Sequence, residues 1–165
     1  MKELRNLNFI NKRIIVRVDL NVPVFKDKIT DHSRIYAILP TLEKLIQNKN
    51  KVFLIAHFGR PKGQVNKNYS IEFLCEELKK ILNLNTIYFL DSCEKKIIET
   101  KISEMKFGEI CLLENIRFNM EEEKNDLKFS QQLSSSFDIY INDAFSASHR
   151  NHASITGITN YLPSY

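Results

Sequence analysis

Glycine is scarce in this chain: only Gly59, Gly63, Gly108 and Gly157 occur. A phosphate-cradling loop of the form G-x-x-x-x-G-K-[ST] and a dinucleotide turn of the form G-x-G-x-x-G both need closely spaced glycines. Neither can be written with these positions, so the chain carries no recognisable nucleotide cradle of its own. Cysteine is scarcer still. Cys75, Cys93 and Cys111 are odd in number and lack C-x-x-C spacing. That excludes a disulfide framework and a zinc cluster, and leads to the expectation of buried free thiols in a reducing cytoplasm. No apolar run approaches the roughly 18 residues of a membrane helix. The opening Met-Lys-Glu-Leu-Arg has no apolar h-region, so no secretory signal is expected. Blocks of one charge are missing as well. The net charge of +4 is dispersed, and without a basic-aromatic platform, nucleic acid is excluded as a partner.

What is present is the composition of a soluble globular domain, 43% apolar and 27% charged over 165 residues. That length suffices to bury roughly 70% of the unfolded surface in one domain. Repeats, low-complexity tracts and Pro/Gly/Ser linkers do not occur. The cations are 17 Lys against 7 Arg, so each Arg stands out, because its planar fork does what Lys cannot.

Two hydrophobic periods alternate along the chain. Residues 13–18 read as a buried strand running into Asp19-Leu-Asn-Val-Pro, where Pro23 ends sheet pairing. Ser33 is the expected N-cap of a helix with Ile35, Ile38, Leu39, Leu42, Leu45 and Ile46 on one face, kinked at Pro40. A second strand covers residues 51–56, and Ser70 is expected to cap the next helix. Further strands are expected at 86–90, 109–113 and 138–141. Further helices are expected at 93–104 and from the acidic run at 121–126 through Ser135. Strand, helix, strand in repetition implies right-handed crossovers. The fold class is therefore α/β, a three-layer Rossmann-like domain with a parallel sheet of five or six strands.

In open α/β sheets, ligands bind beyond the carboxyl ends of the strands. Those ends carry Asp19 and Asn21, then His57, Gly59 and Arg60, then Arg117, then Arg150. Arg34, at the start of the first helix, joins them only if the loop before it folds back. Convergent guanidinium groups repel unless an anion lies between them. Phosphate and carboxylate suit the bidentate fork of Arg, and Asp19 with Asn21 suggest a ligand that also presents a hydroxyl. A small phosphorylated hydroxy acid fits. Other conspicuous residues read as structural. Cys75 and Cys111 fall on apolar faces, His149 and His152 lack a third metal ligand, His32 is read as solvated, and Glu121–Glu123 as an acidic first turn.

The motifs Arg17-Val-Asp-Leu-Asn-Val-Pro, His57-Phe-Gly-Arg-Pro-Lys-Gly, Leu113-Glu-Asn-Ile-Arg-Phe and Glu121-Glu-Glu-Lys-Asn-Asp stand in order. Asn142-Asp-Ala-Phe-Ser-Ala-Ser-His-Arg-Asn-His-Ala-Ser follows them. Together they resemble phosphoglycerate kinase over essentially the whole chain. The resemblance implies a cytoplasmic, monomeric glycolytic kinase whose amino-terminal domain binds 3-phosphoglycerate or 1,3-bisphosphoglycerate. Its carboxyl-terminal domain would bind Mg-ATP or Mg-ADP. It implies that Asp19 and Asn21 orient the glycerate hydroxyl and carboxylate. His57, Arg60, Arg117 and Arg150, with Gly59 beside them, would hold the phosphate, and Arg34 would stabilise the transferring phosphoryl group.

The sequence departs from the family at Ser146, Ser148 and Asn151 and in the turn at Asp27 and Lys28, positions expected beside the ligand and not on it. It is also less than half the length of family chains. Residues 1–165 are therefore expected to be the substrate-binding domain ending near the inter-domain hinge, with no metal or cofactor of its own and no turnover alone. The alternative is a stand-alone anion-binding or regulatory module that reuses the same domain.

Overall fold

The apolar run Arg13–Val18 forms the first strand, β1, of a computed structural model that describes residues 8–165. The opening Met1–Arg5, which bore on the signal-peptide expectation, lies outside the described residues. After β1 come an antiparallel hairpin, Val24–Phe25 (β2) and Lys28–Ile29 (β3), the helix Ser33–Gln47 (α1) and the strand Lys51–Ile55 (β4). Leu74–Ile81 (α2), Tyr88–Leu90 (β5), Lys95–Glu104 (α3) and Ile110–Leu113 (β6) follow. Met120–Glu123 (α4), Leu127–Ser134 (α5) and Ile139–Asp143 (β7) come next, with short 3-10 and π-helical turns between these elements and after β7.

Five strands pair in the order β5-β6-β4-β1-β7, all parallel. β1, β4 and β6 read as near-continuous apolar runs because both faces of a parallel sheet are covered. The period of two separates them cleanly. Ile14, Val16 and Val18 pack with Ile38, Leu42, Leu45, Leu74 and Leu78 on one face. Ile15, Phe53, Ile55, Cys111, Leu133 and Tyr140 pack on the other. The crossover from β1 to β4 thus passes over one face through α1, and that from β6 to β7 over the other through α5. β1 is the switch point of the topology, where a crevice opens at the carboxyl ends. Beyond β7, Tyr140 bridges Ser164 in parallel, giving the sheet edge a short further pairing instead of a sixth strand.

Several boundaries differ from those expected. α1 begins at Ser33, but His32 flanks it without a side-chain cap, and Asp31 Oδ1 accepts the Ser33 N–H at 2.8 Å instead. The helix continues across Pro40 as one element. Ser70 does not cap α2. Its hydroxyl donates to Glu114 at 2.6 Å, and the helix starts at Leu74, one turn later. The long acidic helix splits into α4 and α5, because Asn125 takes a left-handed φ of 52° between them and Asp126 caps the second piece through the Phe129 N–H at 2.8 Å. No helix among the described residues is long and apolar enough to cross a membrane. The three cysteines are free and buried, and burial pushes each thiol up to about 12.

Candidate functional site

Every strand-end motif arrives at the carboxyl edge of β1 and its neighbours. β1 delivers Asp19 and Asn21, β4 delivers His57 and Gly59, and β7 leads to Ser146 and Arg150. A turn after β6 delivers Arg117. The β2–β3 hairpin, closed by the Thr30 N–H donating to the Pro23 carbonyl at 3.0 Å, folds the chain back. It brings Arg34 to the same edge, where its guanidinium bonds Asp19 Oδ2.

Asp19 is the hub of one half of the site. Its Oδ2 accepts from both Arg34 and the Ser146 hydroxyl, and its Oδ1 from the Asn21 N–H at 3.1 Å. Burial pushes this carboxyl up, but the three hydrogen bonds outweigh it and hold it below the usual carboxylate range. Ser146, expected beside the ligand, hydrogen-bonds directly to Asp19.

Asn21 carries the connection onward: its Oδ1 accepts the Gly59 N–H at 2.9 Å, while Arg117 donates to the Gly59 carbonyl at 2.9 Å. Gly59 adopts a φ of +60°, and a Cβ there would meet the Tyr69 ring at 2.5 Å. Asn115, almost wholly buried, clamps this loop. It donates to the Phe58 and Tyr69 carbonyls at 2.7 and 2.9 Å and accepts the Phe58 and Arg117 N–H groups. Glu114 fixes the other side by accepting from Ser70 and the Ile71 N–H. These two residues lay inside a recognised motif, yet their role as loop clamps could not be read from it.

The remaining half of the site is a buried polar chain. His57 is only 5% exposed, and Arg17 only 1%. Arg17 Nη2 lies 2.8 Å from His57 Nδ1, and its Nε donates to Ser154 Oγ at 3.1 Å. Ser154 in turn donates from its hydroxyl and its N–H to the fully buried Glu122 at 2.6 and 2.8 Å. His152 Nδ1 lies 3.6 Å from the same carboxylate. The acidic run is thus more than a favourable first turn: Glu122 points inward to balance Arg17, and Glu123 pairs with Arg117 at 3.2 Å. Arg17 is not among the residues expected at the site. Its signal was an arginine in an otherwise apolar strand buried on both faces, a position that demands partners. His32, read as solvated, is half-buried and lies 3.1 Å from Glu77, far from these residues in role.

Electrostatically the rim is cationic. Burial, then the fields of Arg17, Arg117 and Arg150, push His57 down to about 3, so the ring is neutral at ordinary pH. Burial also lowers Arg17 and Arg117 from their usual values. Arg150 is half-buried and Arg60 exposed, and neither side chain forms an ion pair among the described residues. A cavity of about 410 Å³ lies apart, beyond β5 and β6, lined by Asp91, Glu94, Glu114 and Glu121. Those carboxylates repel anions, so the guanidinium rim and not this cavity is the candidate anion site. Among the described residues no group of three or more His, Cys, Asp or Glu side chains is arranged to hold a metal ion.

A family model described as phosphoglycerate kinase matches residues 4–165. The phosphoglycerate kinase of Moorella thermoacetica is 44% identical over 160 residues, covering 97% of this chain and 40% of the relative. That of Prochlorococcus marinus is 46% identical over 165 residues, covering 98% and 41%. Among solved structures, phosphoglycerate kinase from Coxiella burnetii superposes with a TM-score of 0.85 at 34% identity, covering 98% of this chain and 40% of that one. The Pyrococcus horikoshii enzyme superposes at 0.86 and 32%, covering 99% and 42%. The chain spans about 40% of the length of the curated relatives it matches.

Proposed function

The chain belongs to the phosphoglycerate kinase family, and from that premise we propose that residues 1–165 are its amino-terminal, 3-phosphoglycerate-binding domain. In this reading the complete enzyme transfers a phosphoryl group between Mg-ATP and 3-phosphoglycerate in glycolysis. The present chain binds the acceptor without turnover. Its four glycines write no nucleotide cradle, and its described carboxylates form no metal cluster. In this reading Mg-nucleotide is held by the remainder of the longer family chain. No step proposed for this chain runs through it.

The observation that carries the reading is the excess of guanidinium groups on one rim. Among the described residues Arg34 pairs with Asp19 and Arg117 with Glu123, while Arg60, Arg150 and Arg17, buried beneath them, form no ion pair. An anionic ligand relieves that repulsion. Asp19, held ionised, is an acceptor for the glycerate hydroxyl, and the Asn21 amide binds beside it. His57, Arg60, Arg117 and Arg150 take the phosphate, with Gly59 letting the backbone approach. Arg34, already at Asp19, lies beside the acceptor carboxylate and spreads the charge that builds on the transferring phosphoryl group. Phosphoryl transfer needs such positioning and charge stabilisation more than covalent participation. The free buried thiols suit a reducing cytoplasm, and we take the chain to act as a monomer.

An amide-shift NMR titration with 3-phosphoglycerate, using Mg-ATP as the control ligand, tests the proposal. Shifts should cluster at Asp19, Arg34, His57, Arg60, Arg117 and Arg150 with ATP silent. A well-dispersed spectrum unmoved by 3-phosphoglycerate would overturn it.

A further inference from the structure

We propose that Arg17 is a positioning residue, its buried guanidinium holding His57 as the neutral tautomer protonated on Nε2, so that the ring meets the substrate solely as a hydrogen-bond donor. The inference deepens the function proposed above and rests on it for the identity of the substrate.

The chemistry is one-sided. A guanidinium has five donors and no acceptor. With Arg17 Nη2 at 2.8 Å, His57 Nδ1 has to present its lone pair. A neutral imidazole then carries its single proton on Nε2. Nε2 has no hydrogen bond to protein among the described residues, and it is not one of the buried polar atoms left unpaired, so the small exposed part of the ring includes it. The donor is therefore open at the strand-end edge that the proposed function assigns to the anion, where an Nε2 lone pair would repel a phosphate or carboxylate oxygen.

Arg17 has little freedom to do anything else. Its other donors go to Ser154 Oγ and to the Val18 and Ile55 carbonyls. Glu122, gripping Ser154 from behind, supplies the countercharge. Period two in β1 puts Arg17 on the face of Ile15, beneath the rim and away from direct ligand contact. The groups facing His57 are Arg17 of β1, Asp19 just beyond it, Arg117 after β6 and Arg150 after β7. Their net positive field, together with burial, opposes a second proton on the ring. His57 thus stays a neutral donor over the pH range in which an ordinary histidine titrates.

The test is long-range ¹⁵N–¹H correlation spectroscopy of the histidine-labelled chain, without and with 3-phosphoglycerate. His57 should show the Nε2–H pattern, unchanged from pH 7.5 to 5.5 (about the window around an ordinary histidine pKa), and its Nε2 proton should move on ligand addition. Arg17→Gln and Arg17→Met should give a mixed tautomer that titrates within that window. Their affinity for 3-phosphoglycerate should fall roughly tenfold, the size expected from losing one charge-assisted contact.

An Nδ1–H pattern in the unsubstituted chain overturns the inference whatever the variants do, and needs no ligand. Binding that shifts Arg34 and Arg150 but leaves His57 Nε2 unmoved overturns it while the proposed function stands. No ligand response anywhere in the spectrum instead removes the proposed function, and the substrate-facing role of His57 with it. Retention of tautomer and affinity in a folded Arg17→Gln chain also overturns it, since the guanidinium would then not be what sets the tautomer.

Discussion

Asn21 Oδ1 accepts the backbone N–H of Gly59 at 2.9 Å, tying the turn after β1 to the loop after β4. Two motifs separated by a whole β-α-β unit are thereby locked into one wall of the site. Gly59 holds a left-handed φ of +60° with no room for a Cβ beside Tyr69. Gly59→Ala should cost about 1–2 kcal/mol from backbone strain alone, and more once the ring is displaced. Urea denaturation should register the loss. 3-phosphoglycerate affinity should fall with it, because the Arg117 donor to the Gly59 carbonyl moves too.

Arg60 separates binding from stability. It is exposed and forms no ion pair among the described residues. Arg60→Ala should leave the unfolding free energy within about 0.5 kcal/mol of the parent chain. It should also weaken 3-phosphoglycerate binding by roughly tenfold or more, as loss of a charge-assisted contact worth about 1.5–3 kcal/mol requires. Isothermal titration alongside thermal melts would check both halves, and unchanged affinity would remove Arg60 from the site.

Glu122 is the reverse case. It is fully buried and balances Arg17 through Ser154. Glu122→Ala leaves a buried guanidinium uncompensated, which costs about 3–5 kcal/mol. The midpoint of chemical denaturation should drop accordingly. A change within the range of a surface substitution would show that Arg17 finds its balance elsewhere.

Acid should destabilise the fold partly through His57. Burial and neighbouring guanidinium groups depress its pKa to about 3 in the native chain, against about 6.5 unfolded. Between those values the unfolded state binds the extra proton, so the stability contributed by this group is complete above about pH 6.5 and is lost as pH falls toward 3. His57→Gln should flatten the stability profile across that window. Equal slopes in the two chains would exclude His57 as the source.

The sequence carried the architecture because its signals are local. The apolar strands, the helix faces of α1 and α2 and the loops at the strand ends follow from periods of two and 3.6, and all of these elements appear. Where structure and expectation differ, a local signal has two physical outlets. Ser70 could cap a helix or bond a distant carboxylate, and Glu114 drew it to the second. The acidic run suggested one helix, but Asn125 turns the backbone left-handed and divides it.

Composition and periodicity act over a few residues, so the fold class, the arginines at the strand ends and the free thiols are legible in the chain itself. Which charges are paired inside the protein and which remain open depends on contacts between residues remote in the chain. Arg17 meets His57 across 40 residues and Glu122 meets Ser154 across 32. Arg60 and Arg150 stay free of ion pairs among the described residues. Hydrogen bonds and ion pairs form between neighbours in space. A chain whose sheet order differs from its sequence order hides those neighbours until it has folded.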